Sequence, residues 1–384
     1  MIKRKNSMGP FHRKKVGRKE AVSKTKELVH SCGSKHFWLV TIPLGLGPFV
    51  MDELRKRNCR LLNNSLEAEE ISFTIAPQSH RELLSIRTAT SLFRCIHLPI
   101  DRPRGITSYE YRDQLKLLFE DLFSLTPVKL FHALRLEGAG NDSPTFRRLG
   151  EFFSQMTGID YSPDKTEADL VIRIRPSPHG RGWEILVRAT PRPLSTRSWR
   201  VVNFRGAVSA PIAAAMLEVA QPKQNETVLN IPCGSGTILA ELCEKKTFQQ
   251  AIGVDLSDEA LRAAVANLQR WRSAKNLKLA KGDLSALPIP DSCASVILSD
   301  PPWGEGLGSR EQARRMYPMM LKEMHRVLTE RGRLVILSQD ERALHEIASS
   351  LFERERSVRV YQGGFRPQII LYRKRASSQV QTAA

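Results

Sequence analysis

The sequence predicts an α/β protein whose C-terminal half is a doubly wound parallel sheet, preceded by two smaller α+β units. Three observations carry this. Over residues 206–375, short apolar strands alternate with amphipathic helices, the order that builds a parallel sheet with helices on both faces. A glycine-rich turn lies between the first of these strands and its helix, in "VLNIPCGSGTILAEL". Ahead of this half, strands and helices follow one another in the mixed order of small α+β domains.

The first unit spans 36–104. "FWLVTI", "EISFTI" and "SLFRCIHL" read as strands; "FVMDELRKRN" and "SHRELLSIR" read as helices, the former with Phe49, Val50, Met51 and Leu54 on one side. The second spans 105–190. Leu115, Leu118 and Leu122 stand at helical spacing, and "VKLFHALRL" reads as a strand. Ser143 is a candidate N-cap, Pro144 a first helical residue and Gly158 a stop, so a helix is expected between them. "ADLVIRIRP" alternates, with Leu170, Ile172 and Ile174 one way and Arg173 and Arg175 the other; "WEILVRAT" is its expected hairpin partner. The basic row suits phosphate contact as well as it suits a solvated face. Residues 191–205, with Pro191 and Pro193, read as a linker. At the far end, "RERSVRVYQGG" and "QIILYRKR" suggest an antiparallel hairpin at one sheet edge, and 376–384 a frayed tail.

Composition narrows the function. The net charge is +19 over 384 residues. Within residues 1–35 eleven lysines and arginines face only Glu20 and Glu27. Little apolar periodicity there predicts a disordered arm. Its charge suits a polyanion such as nucleic acid, with a plain solubilising tail as the alternative. No apolar run reaches the roughly 20 residues of a membrane span, and no secretory apolar region is expected. None of the six cysteines forms a CxxC pair, so neither a metal site nor a disulfide framework is signalled, and a reducing compartment is expected.

The glycine loop suggests a cofactor. Gly234 and Gly236 permit tight turning and close backbone approach to a ligand. Asp255 ends the next strand, where a carboxylate can bind ribose hydroxyls. Asp283 ends the third strand and can accept from an adenine amino group, or merely cap a turn. A nicotinamide enzyme would want a third glycine or alanine where Leu239 stands. Cys233 suggests a nucleophile for pyrimidine carbon, but a small buried residue of the loop is the simpler reading.

The fourth strand ends in "LSDPPWGEG". Exocyclic amines of nucleobases are poor nucleophiles because the lone pair is delocalised into the ring. Acceptors that hold the amine's hydrogens let the lone pair turn out. Asp300 offers a carboxylate and Pro301 a carbonyl pre-aimed by fixed φ; Pro302 stiffens the turn, and Trp303 offers a flat face for a base taken from its stack.

On these residues the C-terminal half resembles a class I S-adenosylmethionine-dependent methyltransferase, with a Rossmann-like sheet. "SDPPWG" resembles the motif of enzymes that methylate adenine N6, cytosine N4 or guanine N2. The glycine loop, together with "PLSTRSWR" and "SAPIAAAML", is similar to the THUMP-domain guanine-N2 RNA methyltransferases. The resemblance implies a ferredoxin-like domain at 36–104 and an RNA-gripping THUMP domain at 105–190. It implies methylation of guanosine N2 in tRNA, with ribosomal RNA as an alternative; the cysteine spacing and the lack of an apolar span add the expectation of a cytoplasmic protein without a metal. Asn230, Cys233, Gly234, Gly236, Thr237, Asp255, Leu256, Asp283 and Leu284 would line the cofactor, with Pro211 in the segment closing over it. Asp300, Pro301, Pro302 and Trp303 would hold the guanine. Arg147, Arg148, Arg173, Arg175, Arg197 and Arg200 are the expected RNA contacts. Asn230 stands where the family carries an acid, so a weakened hold on the cofactor's ammonium is expected. A DNA adenine-N6 methylase and an inactive RNA-binding protein are the competing functions.

Overall fold

The computed structural model describes residues 36–63, 68–163, 168–178, 180–302 and 310–376. The basic arm, Trp303 and the tail from 377 onward lie outside them.

Two sheets organise the chain. The N-terminal sheet is built from β1 (His36–Thr41), β2 (Arg60–Leu61), β3 (Glu70–Thr74), β4 (Ser91–Leu98), β5 (Ala133–Glu137), β6 (Asp160–Tyr161), β7 (Leu170–Pro176) and β8 (Trp183–Arg188), in the order β2-β3-β1-β4-β8-β7-β5-β6. The strands of 36–104 and of 105–190 thus share one continuous sheet. The seam is the antiparallel β4–β8 pair, in register from Phe93 opposite Arg188 to Leu98 opposite Trp183. β7 and β8 form the expected antiparallel pair.

Helix α1 (Gly47–Lys56) buries Phe49, Val50, Met51 and Leu54, as its spacing requires. Helix α2 (Arg112–Leu125) buries Leu115, Leu118 and Leu122. Helix α3 (Pro144–Thr157) starts at Ser143, whose side chain accepts from the Phe146 amide, and stops at Gly158 in the left-handed region with φ 73°. Two expectations are refined. The short helix expected over "SHRELLSIR", residues 79–87, is a 3₁₀ run at Pro77–Ser85. "VKLFHALRL" is a strand only from Ala133, because Val128–Leu130 forms a 3₁₀ turn after Pro127.

The C-terminal sheet comprises β9 (Thr227–Asn230), β10 (Gln250–Asp255), β11 (Leu277–Lys281), β12 (Ala294–Ser299), β13 (Leu328–Ser338), β14 (Phe352–Arg359) and β15 (Gln368–Lys374), ordered β11-β10-β9-β12-β13-β15-β14. β9 to β13 pair in parallel. β15 runs antiparallel between β13 and β14, so the last two strands form the expected hairpin at one edge. The strand order reverses between β9 and β12, the switch point beside which open parallel sheets bind ligands. Helices α4 (Ala210–Ala220), α5 (Thr237–Lys245), α6 (Asp258–Asn267), α7 (Arg310–Val327) and α8 (Glu341–Ala348) accompany this sheet. Ten of the eleven residues of α4 are buried, so its "APIAAAMLEVA" shows no polar stripe and no clear helical period.

The two halves are docked closely. Leu46 and Phe49 of the first half share a core cluster with Val360, Ile369 and α4 of the second. A Cβ added to Gly45, which has φ +88°, would stand 2.0 Å from the Arg359 carbonyl oxygen, so only glycine fits there. Alongside, the Tyr361 amide donates to the Leu44 carbonyl at 3.1 Å.

Candidate active site

The parallel strands bring their terminal residues to one rim. Asn230 ends β9, Asp255 ends β10, Asp283 follows β11 by two residues and Asp300 follows β12 directly. The register sets Asn230 beside Leu298, two residues ahead of Asp300.

The glycine loop is pinned by the second acid. The Gly234 amide donates to Asp255 Oδ2 at 2.8 Å, and the Ser257 amide to Asp255 Oδ1 at 2.9 Å. Asp255 is therefore buried and oriented before any ligand arrives. Gly234 and Gly236 both lie in the left-handed region, at φ 52° and 78°. At Gly236 a Cβ would stand 3.2 Å from Leu268 Cδ1, so backbone conformation and space both favour glycine. Thr237 begins α5, is buried and accepts from the Arg200 guanidinium at 2.8 Å. Pro211 is buried at the start of α4, and Leu256 is 60% exposed directly after Asp255.

Asn230 has a role that its sequence position concealed. Its amide nitrogen donates to the Leu298 carbonyl at 3.0 Å and to the Pro232 carbonyl at 3.3 Å, tying the end of β9 to β12. A carboxylate could make neither bond. Its Oδ1 is buried and has no partner among the described residues. A buried acceptor left unsatisfied costs about 1–3 kcal/mol, so a ligand N–H donor fits this position. Asn230 is thus both a strut and an available acceptor.

Asp283 is exposed, and its Oδ1 accepts from the Ser285 amide and hydroxyl at 2.8 and 2.7 Å. The Ser285 amide, first among these contacts, holds its pKa below the usual carboxylate value. Leu284 packs partly buried against the neighbouring core.

Asp300 is the most perturbed acid of the site. Removal from water pushes its pKa up to about 8. No hydrogen bond to its carboxyl comes from the described residues, which is why burial acts unopposed. A carboxyl with a pKa near neutrality can both accept hydrogen bonds and take up a proton. Pro301 is buried and Pro302 exposed. Trp303 lies outside the described residues. Cys233 is buried, and desolvation followed by the charge of Asp255 drives its thiol pKa far up, so it remains a neutral thiol.

The arginines divide. Arg147 and Arg148 are exposed on α3. Arg173 lies 3.2 Å from Glu137 and 3.8 Å from Glu70; Arg175 lies 2.7 Å from Glu70 and 2.9 Å from Glu184. The outer row of β7 is therefore neutralised within the sheet. Arg197 is buried and donates to Glu241 of α5 at 2.8 Å; Arg87 of the N-terminal half meets the other oxygen of the same carboxylate at 2.9 Å. Arg200 is half-buried, bonded to Thr237 and to the Val208 carbonyl. The spacing of "STRSWRVV" carries no signal that these two arginines turn inward; their partners are distant in sequence. Among the described residues, no group of three or more histidines, cysteines or acids could hold a metal, and no helix is long and apolar enough to cross a membrane.

Comparison with known proteins agrees with this geometry. Residues 197–368 match the family described as UPF0020, RMKL-like methyltransferase domain. The mouse U6 snRNA (guanine-N(2))-methyltransferase THUMPD2 is 33% identical over 153 residues, which cover 40% of this chain and 28% of that protein. A tRNA (guanine(6)-N2)-methyltransferase of Thermus thermophilus is 26% identical over 233 residues, covering 59% of this chain and 67% of that protein. The chain spans under a third of the mouse relative's length. The crystal structure of TrmN from Thermus thermophilus superposes with a TM-score of 0.67 at 22% identity, over 88% of this chain and all of that one. The same fold therefore extends through the N-terminal sheet. Sheet order, glycine loop and family match agree: residues 197–368 of this chain are similar to the RMKL-like methyltransferase domain family.

Proposed function

We propose that this protein transfers a methyl group from S-adenosylmethionine to the N2 amine of a guanosine in RNA. The observation that carries the reading is Asp300, a desolvated carboxyl with its pKa pushed to about 8, on the rim that also holds the glycine loop. Support comes from the matched relatives, which are named as guanine-N2 methyltransferases of tRNA or U6 snRNA.

When bound, the cofactor supplies an electrophilic methyl on a sulfonium. Gly234, Gly236, Thr237 and the free oxygen of Asn230 hold its amino-acid end, with Cys233 as packing in the same loop. Asp255 holds the ribose and Leu256 offers an apolar edge. Asp283 and Leu284 meet the adenine, and Pro211 anchors the segment that closes the site. Asp300 and the Pro301 carbonyl accept the hydrogens of the guanine amine, which favours the pyramidal nitrogen of the transition state over the flat ground state. Pro302 fixes that turn and Trp303 stacks on the base. As the N–C bond formed, the methyl's bond to sulfur would break and leave S-adenosylhomocysteine, and the nitrogen's proton would pass to Asp300 in its ionised form, which predominates above pH 8. Arg147 and Arg148 contact the RNA backbone from the unit spanning 105–190.

The RNA is proposed to be a tRNA, with a cytoplasmic site of action. A second reading, U6 snRNA, is favoured by the 33% identity to the mouse enzyme. The test uses purified protein, S-adenosylmethionine with a heavy methyl, and total RNA separated by size and by species. Nucleoside mass spectrometry should show heavy N2-methylguanosine in the tRNA fraction. Label in U6 snRNA alone would move the substrate. Heavy N6-methyladenosine, or no label with no cofactor binding, would refute the proposal.

A further inference from the structure

Between the linker and the cofactor loop stands a side chain with no part in the chemistry above. Asn267 ends α6 and is 1% exposed. Its Oδ1 accepts from the amides of Val201 and Val202, both at 2.9 Å. Its Nδ2 donates to the Val202 carbonyl at 3.2 Å and to the Ser235 carbonyl at 3.0 Å. All four hydrogen-bonding positions of the amide are used. A buried network with every member satisfied is rigid.

The Ser235 carbonyl belongs to the peptide between Ser235 and Gly236. The other end of that peptide is held as well, because the Gly236 amide donates to the Cys233 carbonyl at 2.9 Å. The peptide plane is thus fixed from both sides, one of them by Asn267. Arg200 adds a second tie from the linker, to Thr237 Oγ1 at the next residue. Farther back, Arg197 and Arg87 converge on Glu241, which fastens the linker to the N-terminal half.

We infer that Asn267 is a positioning residue through which the linker sets the geometry of the glycine loop, and with it the affinity for the methyl donor. This rests on the methyltransferase reading. Asn267 touches no reacting atom; it acts through Ser235 and Gly236. Loss of the tie frees the loop to leave its binding geometry, and the apparent affinity falls with the fraction of time it spends there.

Two substitutions separate the two sides of the amide. Asn267→Asp keeps an oxygen for the Val201 and Val202 amides but removes the donor to the Ser235 carbonyl, and with it the weaker bond to the Val202 carbonyl. Asn267→Ala removes both. Binding of S-adenosylhomocysteine to the full-length protein is measured by calorimetry, with thermal melting as the check on folding. The expected result is a Kd at least tenfold weaker for Asn267→Asp. The KM for S-adenosylmethionine should rise in step, with kcat at saturating cofactor within about twofold. Amide exchange of Gly236 should speed up, while that of β1 to β4 is unchanged. Arg200→Met, which cuts the tie to Thr237 from the linker side, should weaken binding in the same direction and gives the same readout if neither Asn267 variant folds. A folded variant with wild-type Kd and wild-type exchange at Gly236 overturns the inference while the methyltransferase reading stands. Wild-type protein that binds no S-adenosylhomocysteine overturns both.

Discussion

Replacing Asp300 by asparagine makes two linked changes, one in catalysis and one in stability. Asparagine keeps the shape and an acceptor oxygen but cannot ionise. In the folded protein the Asp300 carboxyl titrates near 8, against about 3.9 in an unfolded chain. Below pH 4 the acid is neutral in both states and costs nothing. Between pH 4 and 8 the unfolded chain releases this proton and the folded protein keeps it. Wild type therefore loses stability relative to Asp300→Asn by up to about 1.4 kcal/mol for each pH unit. Above 8 both states are ionised and the gap is constant. Partial exposure of the residue reduces the total, so a gap opening by about 2–4 kcal/mol between pH 5 and 8.5 is the expectation. Urea denaturation of both proteins across that range measures it, and their difference cancels every other titrating group. Methyl transfer by the variant should fall by about 10²–10³ with cofactor affinity nearly unchanged. A stability difference independent of pH would show that Asp300 is solvated and its pKa ordinary. Loss of cofactor binding together with activity would place Asp300 in the wrong role.

Further outcomes follow from the same contacts. Glu241→Gln leaves Arg197 buried without a countercharge, and unfolding free energy should drop by about 3–5 kcal/mol, whereas Glu311→Gln, which loses an exposed pair with Arg315, should change it by less than 1 kcal/mol; chemical denaturation compares the two. Gly236→Ala must hold a left-handed φ of 78° with its methyl close to Leu268, so titration with S-adenosylhomocysteine should show binding weakened at least tenfold. Cys233→Ala should keep methyl transfer within a fewfold of wild type, because a buried neutral thiol is no nucleophile; abolished activity with intact cofactor binding would revive a covalent route. The double variant Arg147→Ala with Arg148→Ala should lower RNA affinity and flatten its salt dependence by roughly one to two units of log–log slope, while Arg173→Ala, whose charge Glu137 and Glu70 already balance, should do less.

Much of this was readable before any coordinates. The C-terminal alternation, the glycine loop and the rim acids follow from local patterns, since strand and helix periods and turn residues are written within a few positions of one another. The cap and stop of α3 at Ser143 and Gly158 are equally local. What escaped was long-range. Helix α4 is buried on every side and shows no polar stripe. The two-residue strands β2 and β6 are too short to carry a period. Arg197 looks like any surface arginine until Glu241, 44 positions later, is folded against it. Asn230 reads as a weakened acid, yet its amide nitrogen makes bonds that the acid could not.

The seam between β4 and β8 bears on how the chain is made. Residues 91–98 must wait for residues 183–188 before their second edge is covered. During synthesis, the first four strands emerge with the edge of β4 open, and some ninety residues intervene before the ribosome releases its mate. At about 5–20 residues per second that interval is on the order of 5–20 seconds, ample for an exposed strand to find the wrong neighbour. The N-terminal half therefore matures as one cooperative body, and a chain interrupted between the two units would carry an uncovered edge instead of a free-standing domain.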